Sequence, residues 1–321
     1  MKHKLLIGLT ILLLCAALFF YRDRLPAVLS HDSPGDNANQ QETIDPANKS
    51  REVVSAASKQ LLLRASERLK NWPALEANVR HRIDLFGEQL VGPGRYVQAG
   101  QGSPKARLEL NFHADDFDSQ VTQINDGRFL YIKSDSDKDA PMQRIDLSRL
   151  SPEKNEDPTL GSGATRWMAM GGLAYLLQQL AEDFEFEEAR KEQLDAIDVL
   201  VFKGKWKPAR IAEVCGKLKV LDKDGRVRFD KLPDQLPTHV QITLGNEEPL
   251  RLFPYQIIYL KQTSDKSGRI TQTPIATFEF FDVHPVAQLD PATFHIEKDA
   301  TRLTDVTDTV LKTIGDETKQ R

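Results

Sequence analysis

The chain has 321 residues, 40% hydrophobic and 28% charged, with 43 basic against 47 acidic side chains and a net charge of -4. That apolar content is too high for a disordered chain, and the balanced charge, with no basic stripe, argues against a nucleic-acid partner. Two cysteines, Cys15 and Cys215, allow neither an internal disulfide framework nor a Cys-based zinc site.

The N-terminus reads MKHKLLIGLTILLLCAALFFYRDR. Lys2 and Lys4 precede an apolar run from Leu5 to Tyr21, the pattern of a secretory signal or a signal anchor. As a helix the run spans roughly 25 Å, slightly short of a ~30 Å hydrocarbon core but within the working range. It ends in Leu18, Phe19 and Phe20 rather than in the small residues of a cleavage site. An uncleaved anchor over 5–21 with a cytoplasmic tip at 1–4 is the expectation, and a cleaved signal is the alternative. A lipid-modified Cys15 is disfavoured by Leu14, which stands where a small residue belongs. Residues 30–50 are polar, rich in Asn, Asp, Ser and Pro, and the stretch 22–50 reads as a disordered linker with a typical span of roughly 30 Å. The remaining chain is expected to be exported and, if anchored, to work close to its membrane.

Helical spacing begins at Arg51: Val54, Leu61, Leu62, Leu69 and Trp72 recur among charged residues until Pro73. Strand alternation follows. NVRHRIDLF sets Val79, Ile83 and Leu85, with His81, against Arg80, Arg82 and Asp84. EQLVGPGRYVQ returns after Gly87, its Gly92 and Gly94 suggesting a bulge or sharp bend. RLELNFH puts Leu108, Leu110 and Phe112 on one face. In SQVTQINDGRFLYIKSD, Asp126-Gly127 predicts a two-residue hairpin turn, and MQRIDLSRL closes the group. Thr165 to Phe184 reads as a helix that Gly171-Gly172 would weaken or kink. DVLVFKGKWK is a strand into Trp206, and KPARIAEVCGKL a short helix. THVQITLG, RLFPYQIIYLKQ and PIATFEFFDV resume the strands. Asp305 to Ile314 is a last amphipathic stretch, with Val306, Val310 and Ile314 together. The pattern predicts an α+β domain over 51–321: a large curved antiparallel sheet with helices on its apolar side.

Catalytic motifs are absent: no Gly-x-Ser-x-Gly, no His-Glu-x-x-His, no phosphate-binding Gly-rich loop and no Cys-x-x-Cys. No catalytic residue, cofactor or metal site is expected, and His113, His239, His284 and His295 read as surface or hydrogen-bonded structural histidines. Asp135, Asp137 and Asp139 resemble the start of a calcium loop, but Ala140 replaces the needed Gly and Asp146 the bidentate Glu. A solvated hairpin tip is the expectation there. Lys203, Lys205 and Lys207 alternate as a modest basic edge blunted against aggregation. Cys215 reads as a small buried hydrophobe.

The order of elements resembles the outer-membrane lipoprotein carrier family, the LolA/LolB-like proteins. A leading helix (51–72) precedes EANVRHRIDLF and a Gly-containing return; DGRFLYIK is similar to the family's Asp-Gly-x-x-aliphatic-Trp-x-Tyr hairpin. MQRIDL follows, and LDPATFHIEKDAT, with Phe294 at the aromatic position, is similar to the closing segment. Tyr131 and Lys133 depart from the usual Trp and Tyr, and residues 151–216 look like a helical insertion. GKWKP and LFPYQIIYL resemble a longer branch of exported proteins. The resemblance implies an unclosed β-barrel with helices on its concave face, which accepts acyl chains of lipid or lipoprotein. The implied lining is Ile83, Leu85, Leu108, Leu110, Phe112, Leu130, Ile132, Val240, Ile242, Phe278 and Phe280. The expected role is a non-catalytic module facing the periplasm and tethered to the membrane through 5–21. The alternative is an envelope protein–protein or sensor module on the same fold.

Overall fold

The structure, a computed structural model, describes residues 46–85, 88–114, 117–136, 140–150, 164–215, 219–264, 267, 269–296 and 302–311. The apolar run 5–21, the tip 1–4 and the linker up to residue 45 lie outside the described residues. Among the described residues no helix is long and apolar enough to cross a membrane.

Helix α1 (Pro46–Asn71) starts a few residues ahead of the expected Arg51. Its buried stripe is Ser58, Leu62, Ala65, Ser66 and Leu69, a helical face on which small residues permit close approach. Ser66 Oγ donates to the Ala174 carbonyl at 2.7 Å and Ser58 Oγ to that of Glu187 at 2.6 Å. These bonds tie α1 to elements more than 100 residues later in the chain.

A meander follows: β1 (Ala74–Leu85), β2 (Glu88–Gln98), β3 (Ala106–Ala114), β4 (Phe117–Asn125), β5 (Phe129–Ser134) and β6 (Met142–Asp146). Next come α2 (Ala164–Met170), α3 (Leu173–Asp183), β7 (Phe184–Phe186), β8 (Arg190–Leu194), β9 (Ile197–Trp206) and α4 (Pro208–Cys215). The chain closes with β10 (His239–Gly245), β11 (Pro254–Ser264), β12 (Ile270–Val286) and β13 (Leu303–Asp305). All thirteen strands form one sheet in the order β13-β6-β5-β4-β3-β2-β1-β12-β11-β10-β9-β7, with β8 also on β9. Among the described residues only β13 pairs in parallel, against β6. The ends, β13 and β7, do not meet, so the barrel is unclosed, as the resemblance implied. Helix α1 packs along α3 and β7, while α2 rests on β3, β4 and β5.

Several expectations change. Residues 151–216 are not simply a helical insertion, because β7, β8 and β9 lie within them and continue the sheet. The Lys203–Lys205 strand is no edge: β9 is flanked by β10 on one side and by β7 and β8 on the other. Lys203 bonds Gln272, and Lys205 pairs with Glu185 at 3.4 Å. Lys207 donates to the Ala181 and Glu182 carbonyls at 3.0 and 2.7 Å, satisfying the open C-terminus of α3.

There is no bulge at Gly92 and Gly94, since the β1–β2 register is unbroken. A Cβ on Gly92 would fall 1.7 Å from the Asn111 oxygen, so the glycine serves a close approach of β2 to β3. The β4–β5 hairpin is displaced by one residue from the expectation. Asp126 N bonds the Phe129 carbonyl, leaving Gly127 (φ 97) and Arg128 at the tip, while the Asp126 carboxylate accepts from the Arg128 and Phe129 amides.

Phe294, in a 3-10 turn (Pro291–Phe294), is buried with Val97 and Ile124 in a small second core. The last amphipathic stretch forms a helical turn over 307–311, with Val306 and Val310 against the main core and Ile314 outside the described residues. Cys215 is buried as expected, which pushes its thiol up to about 11.

The helix expected over 165–184 is broken at Gly171-Gly172. Gly172 has φ 72, and a Cβ there would sit 2.1 Å from the Tyr96 hydroxyl. That hydroxyl accepts a bond from the Leu173 amide at 2.9 Å, so it takes the place of a cap at the start of α3. Gly172→Ala combines backbone strain with overpacking and should cost about 2–4 kcal/mol, read as a lower urea midpoint at unchanged m-value.

Candidate functional site

Strand register aligns the inward side chains into rows. One row runs Phe202, Ile242, Ile257, Phe278, His81 and Gly92, from β9 across β10, β11, β12 and β1 to β2. The pairs Val91–His113 and Gly94–Leu110 then place Phe112 opposite Gly92, and Phe112 pairs with Ser119 on β4. A parallel row carries Val240, Tyr259, Ala276, Ile83 and Leu90. On the other side lie Phe280, Val79, Gly94, Leu110, Val121 and Ser134, and beyond them Ala77, Tyr96, Leu108, Gln123 and Ile132. No Asp, Glu, Lys or Arg occurs in these rows.

Nine of the eleven expected lining residues are buried on this one inner face: Ile83, Leu108, Leu110, Phe112, Leu130, Ile132, Val240, Ile242 and Phe280. Phe278 is half-buried against the same core. Leu85 ends β1, and its side chain lies outside the described ones. These residues therefore share one inner face, and it is closed to solvent rather than left as an open hollow.

Polar groups on the inner face fall into two sets. In the first, each binds helix backbone. Asn125 Nδ2 donates to the Met168 and Ala169 carbonyls, both at 2.9 Å, and Gln98 Nε2 to that of Leu69 at 3.4 Å. Tyr96 donates to Gln98 Oε1 at 2.7 Å while accepting from Leu173.

In the second set, His81 Nδ1 and Nε2, Ser119 Oγ, and Gln123 Oε1 and Nε2 are buried with no hydrogen-bond partner among the described residues. The His81 ring is 1% exposed and meets Phe112 edge-on, centroids 4.6 Å apart, across the space that side-chain-free Gly92 leaves. Burial, aided by the nearby His113, pushes the His81 pKa down to about 4, so its imidazole is neutral at physiological pH.

The sequence puts His81 on an apolar face but carries no sign that its ring nitrogens lack partners among the described residues, and it does not single out Ser119 or Gln123. The signal available is SQVTQIN itself, whose Ser119, Val121, Gln123 and Asn125 alternate in phase and pair with the apolar side of β3.

The other described histidines are partnered or exposed. His113 Nδ1 lies 2.8 Å from Asp118, His239 Nδ1 2.9 Å from Thr238 Oγ1 and His295 Nδ1 2.6 Å from the Pro291 carbonyl, while His284 is solvent-exposed. Asp135 is exposed beyond β5, and Asp137 and Asp139 lie outside the described residues. Among the described residues no three His, Cys, Asp or Glu side chains gather as metal ligands. On the opposite side of the sheet a polar cleft of about 770 Å³ is lined by residues that include Glu187, Arg190, Lys203, His239 and Gln272.

No protein-family model matches the chain, and no curated protein matches it. Among solved structures it is similar to MucB, with a TM-score of 0.37 and 9% identity over 77% of this chain and 66% of that one. It is also similar to LprF from Mycobacterium bovis (TM-score 0.36, 11% identity, 74% of this chain, 97% of that one). A third likeness is to a LolA superfamily protein from Nitrosomonas europaea (TM-score 0.29, 12% identity, 74% of this chain, 97% of that one). The chain spans just under two thirds of the length of MucB. At such identities and TM-scores the likeness carries no functional argument; the residues of the concave face do.

Because the folded pKa of His81 lies below the unfolded value near 6.5, the unfolded chain takes up this proton first on acidification. The associated stability is intact above pH 6.5, is lost as pH falls towards 4, and changes no further below that. The loss should be on the order of 3 kcal/mol. Denaturant midpoints of wild type and His81→Phe, measured from pH 7.5 to 3.5, should diverge in this window, the variant lacking about one proton's worth of slope. His239, also lowered to about 4 by burial and by Lys203 and Lys205, contributes equally to both proteins.

Proposed function

We propose that this chain is an exported, non-catalytic module that takes acyl chains of a lipid or lipoprotein into its concave face. The observation that carries the reading is the aligned inner row, free of Asp, Glu, Lys and Arg, that crosses eight strands, from β9 to β4, in a sheet whose two ends are free of each other; the buried Lys261 of β11 lies beyond the row and is engaged by the Leu232, Pro233 and Leu236 carbonyls. An acyl chain gains roughly 0.8 kcal/mol per buried methylene, so about 16 carbons gain on the order of 10 kcal/mol before the entropic costs of binding. Such a gain can offset the breaking of the few bonds, from Tyr96 and Asn125, that hold α2 and α3 against the sheet. Binding of this kind needs no catalytic residue.

In this reading the folded domain faces the periplasm, and residues 5–21 tether it to the inner membrane. The tether separates a stationary acceptor or loader from a diffusing carrier. A second reading, a protein–protein or sensor module with a filled interior, draws on the closure of the concave face to solvent.

Two measurements test the proposal. Organic extraction and mass spectrometry of the full-length purified chain should recover about one equivalent of acyl lipid. A lipid-free chain that also fails to take up a fluorescent fatty acid would leave the second reading. After an alkaline wash of isolated membranes the chain should stay in the pellet, whereas release into the supernatant would mean a cleaved signal.

A further inference from the structure

The polar cleft on the other side of the sheet has a construction of its own. Strands β7 and β8 both pair with β9. Between the pairs Phe186–Gly204 and Arg190–Val201 the outer strand carries three residues, 187–189, against two on β9, 202 and 203. The extra residue makes a bulge, a device that re-aims side chains out of strict alternation. Its first residue is held from two sides: the Glu187 amide donates to the Lys203 carbonyl at 2.9 Å, and the Glu187 carbonyl accepts from Ser58 Oγ of α1 at 2.6 Å. The cleft of about 770 Å³ opens beside this bulge, between residues 187–191 on one side and Lys203, His239 and Gln272 on the other.

Opposite charges line this cleft without pairing with each other. Two residues along β9, Lys205 meets Glu185 across the ladder at 3.4 Å. Lys203 gives its ammonium instead to the Gln272 carboxamide oxygen. Gln272 Nε2 in turn lies 3.2 Å from Gln262 Oε1 and 3.4 Å from His239 Nδ1, so groups from β10, β11 and β12 fix the Lys203 side chain in place. Among the described residues Lys191 and Lys203 have no carboxylate partner, Glu187 and Glu188 no cationic one, and Arg190 reaches only Glu192, at 3.6 Å.

The chemistry of a fitting ligand follows from this lining. Among the described lining residues only Ala189 is apolar, so an acyl chain gains nothing here. A bare anion meets two carboxylates and a bare cation meets three cationic side chains, whereas a molecule bearing both signs bridges the separated charges. His239 adds no charge, because burial and the neighbouring lysines hold it neutral. The guanidinium and ammonium donors suit the several oxygens of a phosphate, and carboxylates accept the N–H groups of a primary amine. No Phe, Tyr or Trp is in the lining to receive a quaternary ammonium.

We propose that this cleft binds a phosphoethanolamine group, with its phosphate on Lys203, Arg190 and Lys191 and its ammonium on Glu187 and Glu188. The group comes as a free phosphomonoester or as the phosphodiester head of a lipid. No acyl chain enters the cleft, so the site stands whether or not the concave face takes lipid.

The test is calorimetric titration of the full-length purified chain at low salt with four soluble probes that carry no acyl chain. These are O-phosphoethanolamine, glycerophosphoethanolamine, inorganic phosphate and β-alanine. One of the first two should bind at least about tenfold more tightly than either of the last two. Tighter binding of the monoester identifies a free solute as the source, and tighter binding of the diester a lipid head. Lys203→Met and Glu188→Gln should each weaken that binding about tenfold at an unchanged urea midpoint. Lys205→Met, whose partner Glu185 lies outside the cleft, should change it by less than about twofold.

Inorganic phosphate or β-alanine binding as tightly as the phosphoethanolamine probes would overturn the assignment. So would an affinity that survives both cleft substitutions, or binding of no probe at all.

Discussion

The pairing of β12 with β1 is the constraint on which the architecture depends. It joins residues 74–83 to residues 276–286 and thereby fuses two meanders, β1–β6 and β9–β12, into one sheet. Without it His81 has no Phe278 beside it, the inner rows stop at β1, and the concave face splits into two shallow halves. Both strands are long, twelve and seventeen residues, and each ladder that β12 makes carries a register shift, at Glu76/Asn78 against β1 and at Tyr259/Leu260 against β11. Such long-range pairing pays its loop-closure entropy late, so the domain is expected to fold slowly and to depend on its local hairpins for a start.

Polar groups on the inner face have two separate roles. Tyr96, Gln98 and Asn125 bond helix backbone groups, and so position α1, α2 and α3 against the sheet. Ion pairs contribute elsewhere, at the β13 edge: Arg144 lies 2.7 Å from Asp305 and Arg149 2.6 Å from Asp308. Bonds from Thr307 and Arg144 hold the Asp305 carboxyl well below the usual carboxylate range. These pairs are largely solvent-exposed, and their effect on stability is correspondingly small.

Much of the sheet was legible because its period is two. Leu108, Leu110 and Phe112 are in phase, and so are Val240 and Ile242; both sets point inward as read. Legibility failed where side chains gave no contrast. RKEQL became β8 although its residues are mostly exposed, since β9 supplies the ladder and only one side of β8 needs a partner. Lys203 and Lys205 looked like an edge because strand order is not written in any one strand. The stripe on α1 favoured Ser58, Ala65 and Ser66 over Leu61 because close packing selects for small volume as well as for hydrophobicity. Ser119 and Gln123 were hidden for a related reason: alternation tells which residues share a side, and only the register of β4 against β3 tells that this side is the inner one.

The missing side chain at Gly172 has a mechanical consequence. A single uninterrupted helix over residues 164–183 would be a rod about 30 Å long, stiff enough to lie across the barrel's mouth like a crossbeam. Divided into pieces of seven and eleven residues, the same stretch becomes two short shingles joined at a pair of glycines. Each is nailed to a different beam: α3 to α1, and α2 to the strands β3, β4 and β5.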